Sequence, residues 1–127
     1  MQPLDVFPDV EHMVMTLLED LAETGLRTPD EFTDSFIKVQ RVPGDAGDLV
    51  TDVATVELQC FGLSHMAGST LARTAHQKML AAPATDLDGA CIDRVVPESG
   101  PYYVDYGDPR IHRYVARYRV AFRRPRR

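Results

Sequence analysis

The last seventeen residues, Ile111–Arg127, read IHRYVARYRVAFRRPRR, and they alternate. Tyr114, Ala116, Tyr118, Val120 and Phe122 fall on one side; Arg113, Val115, Arg117, Arg119, Ala121 and Arg123 fall on the other. Successive side chains leave an extended backbone on opposite sides, so a period of two marks a β-strand with one face in a core. A helix, with its period of 3.6, would wind the arginines into the apolar stripe. The fold therefore has to include a sheet in which this strand turns an aromatic and aliphatic face inward and an arginine face elsewhere.

The same strand gathers the positive charge. Arg110, Arg113, Arg117, Arg119, Arg123, Arg124, Arg126 and Arg127 are eight of the fourteen Lys and Arg residues, and no acid follows Asp108. Residues 1–60 carry thirteen acids against three bases, within a net charge of −5. A chain with an acidic end and a basic end can complement copies of itself head to tail, a contact that generates rings or filaments. Pairing within one copy, or solvated faces, would use the same charges. Clustered arginines interleaved with tyrosines also suit backbone contact with nucleic acid, but a dedicated binder is usually basic and this chain has a pI near 5.2.

Elsewhere the patterning predicts an α+β domain. Val10, Met13, Val14, Leu17, Leu18 and Leu21 make one apolar stripe, predicting a helix over 9–24 that ends at Gly25. Its opposite face is acidic, with Glu11, Glu19, Asp20 and Glu23. Residues 36–42 and 52–61 alternate as strands, and Pro43–Asp48 between them reads as a hairpin turn. Ser64 or Ser69 caps a second helix closed by Pro83, whose stripe of Ala67, Leu71, Ala75, Met79 and Ala82 is mostly small. Cys91–Val96 reads as a third strand, Pro97–Arg110 as a loop, and the arginine strand closes the chain, with residues 124–127 as a flexible basic tip. The order α-β-β-α-β-β predicts a single two-layer domain over 1–127: a four-stranded, mixed or mostly antiparallel sheet with two helices packed on one face.

Catalytic patterns are sparse. The four histidines are scattered, without the spacing of a metal pair. Asp86, Asp88 and Asp93 have no EF-hand context, and Gly62-Leu63-Ser64-His65-Met66 lacks the second glycine of a nucleophile elbow. Two cysteines in apolar runs predict buried free thiols. The opening MQPLDVFPD has neither the basic region nor the apolar core of a secretory signal. No cofactor, metal site or membrane partner is expected. Tyr102, Tyr103 and Tyr106 are candidate interface residues, because tyrosine gives amphipathic contact area at low entropic cost.

The early amphipathic helix, the hairpin broken by a Gly/Asp loop, the small-residue helix, the Pro97–Pro101 corner and the closing strand RYVARYRV (113–120) together resemble the tail terminator, or tail completion, proteins of long-tailed bacteriophages, most of all those of actinobacterial phages. The resemblance spans most of the chain in element order and is specific at the Gly-Pro corner and the last strand. It implies a non-enzymatic virion protein at the tail–neck junction, made in the host cytoplasm. Such a protein assembles as a homo-hexameric ring that caps the tail tube and joins the head. Its partners would be its own copies, the tail tube protein and a connector or stopper protein, with non-specific contact to genomic DNA in the lumen. Another head–tail connector component, a stopper or adaptor, is the alternative. On this reading either the acidic helix with Glu19 and Glu23 or the loop with Asp45 and Asp48 meets Arg113, Arg117, Arg119, Arg123 and Arg124 of a neighbour, or the acids line the lumen while the arginines anchor the axial joint; the Pro97–Pro109 loop with Tyr102, Tyr103 and Tyr106 is a candidate for contact with the tube or neck.

Overall fold

The computed structural model describes residues 9–43, 51–87 and 90–123. Among them lie two helices and six strands: α1 (Val10–Leu18), β1 (Glu23–Gly25), β2 (Phe36–Val42), β3 (Thr51–Gly62), α2 (His65–Leu80), β4 (Asp86–Leu87), β5 (Ala90–Tyr103) and β6 (His112–Arg123). One open mixed sheet runs β1-β2-β3-β6-β5-β4, with β1 parallel to β2 and the other neighbours antiparallel. The α+β class is as the patterning predicts. The sheet has two more strands than the four predicted, both short and both at its edges.

The alternation of β6 does what it promised. Ala116, Tyr118 and Val120 lie beside Leu58, Val56 and Ala54 of β3, Phe122 extends that row, and Ile37 and Val39 of β2 continue the same face. Val10, Met13, Val14 and Leu18 of α1 and Leu71, Ala72, Ala75 and Met79 of α2 close over it as one core. The small stripe of α2 lets it come close. A Cβ on Gly62 would lie 2.7 Å from the Cα of Gly68, so backbone meets backbone where α2 leaves the sheet. Ser64 caps that helix, its hydroxyl accepting from the Ala67 N–H at 3.0 Å.

Two boundaries depart from the sequence reading. The first helix ends at Leu18, not at residue 24. Asp9 caps its start through the Glu11 and His12 amides, but Glu19, Asp20 and Glu23 would crowd acids onto the negative end of the helix dipole, and its last turn holds no base. The base comes from α2: Lys78 donates to the Leu17 carbonyl at 3.4 Å and to Asp20 at 2.5 Å. That contact holds the Asp20 carboxyl below its usual range, chiefly by hydrogen bonding. Gly25 then serves as a strand residue, since a Cβ there would sit 2.9 Å from the Phe36 ring.

The second departure is at the Gly-Pro corner. Residues 97–103 continue β5 where a loop was predicted. Pro97 and Pro101 are tolerated because β5 is largely an outer strand, and register shifts at Ile92/Arg94, Pro97/Ser99 and Ser99/Tyr102 absorb the lost pairing. The hairpin tip with Asp45 and Asp48, and the basic tip with Arg124, lie outside the described residues.

Candidate functional site

The arginines of β6 occupy the sheet face opposite the helices, and each one described meets a group of its own chain. Arg117 lies directly across from Glu57, Nε to Oε2 at 2.9 Å. Arg123 pairs with Asp93 at 3.1 Å and Arg119 with Glu98 at 3.8 Å. Arg113 donates to the carbonyls of Val104 (3.3 Å) and Asp105 (2.8 Å), and its guanidinium lies 5.3 Å from the centre of the Tyr106 ring. The bulges of β5 place Asp93 and Glu98 for this purpose. The stripe that looks cationic in sequence is thus laced with cross-strand acids. The stems of these side chains help keep Val115 and Thr55 buried on a face that has no second layer among the described residues. Val53, Arg94, Val96, Arg119 and Ala121 line a depression of about 310 Å³ on this face.

The three tyrosines divide. Tyr102 and Tyr103 end β5 and stay 49% and 44% exposed, a size of exposed ring that suits an interface. Tyr106 folds inward instead. It meets Phe32 edge to face at 5.7 Å and Phe61 at 5.2 Å, in a small second core with Phe36 and Ile111. Of the acids singled out in sequence, Glu19 caps the end of α1 and Glu23 opens β1, and both are exposed.

Sequence spacing gave no sign of three contacts. His76 on α2 and Tyr118 on β6 share a hydrogen bond of 2.6 Å across forty-two residues of chain. Burial pushes the Tyr118 hydroxyl well above the ordinary tyrosine range, with the Cys60 thiol adding to the effect. His65, at the start of α2, stacks 4.0 Å from His112 and 5.1 Å from Tyr103, beside exposed Leu63 and Met66. The third is the aromatic group around Phe32, which forms a cleft of about 430 Å³ with Leu63, Tyr106 and Ile111 as walls and Asp30 and Glu31 at the rim. The last two sit where β3 ends and β6 begins, brought together by the topology.

Cys60 is a buried free thiol, as predicted; Cys91 is free and half-buried. Among the described residues no three His, Cys, Asp or Glu side chains converge in a metal-binding group. No helix among them is long and apolar enough to cross a membrane. The chain's geometry offers charged and aromatic contact surfaces. A comparison with protein-family models and with curated proteins found no match to either.

Proposed function

We propose that this chain is a structural virion protein that assembles as a ring, caps the tail tube of a long-tailed bacteriophage, ends tube polymerisation and forms the joint to the head. The observation that carries the reading is the combination, among the described residues, of an open mixed sheet, helices on one face only, and a β5–β6 hairpin ending in exposed tyrosines. A sheet face without a second layer among the described residues, together with an exposed aromatic corner, suits a subunit that meets neighbours on several sides. The element order and the Arg/Tyr strand that carry the resemblance to tail terminators support it further.

In this reading copies of the chain contact each other heterologously, which closes a ring when the rotation closes. Tyr102 and Tyr103 face the tail tube protein or the connector, and DNA passes through the lumen without sequence-specific contact. Purified protein mixed with tail tubes and imaged in negative stain tests this. Rings seated on tube ends, with a hexamer in native mass spectrometry, are the expected result. Bare tube ends, or binding to heads and not to tubes, overturn the terminator assignment. Tyr102→Ser with Tyr103→Ser should leave the ring and release it from the tube.

A further inference from the structure

We infer that the arginine tail, Arg124–Arg127, docks into the acidic aromatic cleft of a second copy of this chain, and that this contact is the head-to-tail joint between subunits. The inference deepens the ring reading and rests on it for the premise that copies assemble.

The cleft is built to take a cation with an apolar stem. Phe32, Tyr106, Ile111 and Leu63 supply an apolar and aromatic wall. Asp30 and Glu31 stand exposed at its rim, and Arg110, which shares the lining, feels the charge of Glu31. Asp108 is already matched, held below its usual range by the hydrogen bond from Arg110. Leu63, on the cleft wall, is 48% exposed and leaves apolar surface open to a partner. Guanidinium groups bind such places through carboxylates and through ring faces, and Arg113 over Tyr106 shows that contact within one copy.

The geometry requires a second copy. Ile111 lines the cleft and immediately precedes β6, whereas the tail leaves from Arg123 at the opposite end of that strand. Eleven residue steps of strand separate His112 from Arg123, roughly 36 Å at the ordinary rise. Four residues reach at most about 14 Å. Arg124–Arg127 cannot enter their own cleft, and an arginine side chain does not close the gap. A lone surface carboxylate would give only an exposed ion pair, worth little in water. The cleft adds ring faces and apolar wall. Because Arg123 and the cleft lie at opposite ends of one sheet, each copy offers one tail and one cleft, and the contact repeats head to tail.

The test uses the full-length chain and two variants, Asp30→Lys with Glu31→Lys (cleft) and Arg124→Ala with Arg126→Ala and Arg127→Ala (tail). Sedimentation velocity and native mass spectrometry follow assembly in low and moderate salt. The parent chain should assemble, and each variant alone should associate at least about tenfold more weakly, as expected when close charge pairs across an interface are removed. Mixed together, the variants have one working tail and one working cleft between them, so they should form a one-to-one dimer and nothing larger. That dimer also shows that both variants are folded. A parent that stays monomeric, a variant that assembles as the parent does, or a mixture that stays monomeric overturns the joint. The two readings fail separately. Parent rings joined this way that leave tail tubes bare keep the joint and reject the terminator role; variants that cap tubes as well as the parent keep the role and reject the joint.

Discussion

Raising the pH should weaken this fold through one thiol, and by a calculable amount. Cys60 lies on the helix-facing side of β3 at 2% exposure, and burial pushes its thiol from an ordinary 9.0 up to about 12. The folded chain therefore holds this proton more tightly than the unfolded chain does. The stability this represents is complete below pH 9 and is lost as the pH climbs toward the folded value. Within that window each pH unit costs about 1.4 kcal/mol, so roughly 3 kcal/mol is gone by pH 11. That is a large share of the ~5–15 kcal/mol that holds a domain of this size. Tyr118 acts in the same direction at somewhat higher pH, because its hydroxyl is also raised by burial. Cys60→Ala separates the two. It removes a buried sulfur at a cost of about 1 kcal/mol at pH 8, but it has no thiol to titrate. Its stability curve should start below that of the parent, cross it near about pH 10, and lie above it at pH 11. Urea denaturation followed by far-UV circular dichroism, in steps from pH 8 to 11, reads both curves. A constant difference between parent and variant across that range would refute the reasoning, since it would mean the thiol titrates alike in both states.

Three further outcomes follow from contacts inside the fold. Gly62→Ala should cost about 3 kcal/mol, the upper end for overpacking, because its Cβ would meet the backbone of Ala67 and Gly68; a midpoint shift worth under ~1 kcal/mol would show that the start of α2 can move aside. Tyr118→Phe and His76→Ala, combined in a double-mutant cycle, should show a coupling of about 1 kcal/mol for the hydrogen bond between them, and additive losses would dissolve that contact. Ala84 sits at φ 70° without being glycine, so Ala84→Gly should raise stability by about 0.5–1 kcal/mol; a loss on thermal melting would contradict the strain.

What could be read from the sequence was what local periodicity dictates. The alternation of residues 114–122 assigned both faces of β6 correctly, and the stripe from Val10 to Leu18 placed α1 on the core. The errors came where a distant residue decides. No pattern within residues 19–25 announces that Lys78, nearly sixty positions on, will close the end of α1. Pro97 and Pro101 argue for a loop until the neighbouring strand is seen to need only one edge of β5. The candidate surfaces behaved likewise. The arginines were legible as a row, but their partners Glu57, Glu98 and Asp93 are set by register and by bulges. Tyr106 carried the same signal as Tyr102 and Tyr103 and went to a different place, because Phe32 and Phe61 were there to receive it.

The pairing of the arginine row bears on how copies of this chain can meet. Glu57 has a side chain only 12% exposed and is held by Arg117 and by the Gln59 amide. For a neighbour's acid to take Arg117, that carboxylate must lose its guanidinium while staying largely out of water, at a cost on the order of 1–3 kcal/mol. The new ion pair would return about 0–1 kcal/mol if it formed near the surface. The exchange runs uphill at Arg117. Asp30 and Glu31 at the cleft rim and the exposed rings of Tyr102 and Tyr103 are held less tightly: all four are exposed, Glu31 only shares the cleft with Arg110, and Tyr103 only packs against His65 and Tyr114. A neighbour that uses them need not strip a half-buried carboxylate of its guanidinium first. Energetically, then, the arginine strand is better suited to holding its own sheet together, and the ends of the sheet to holding the next copy.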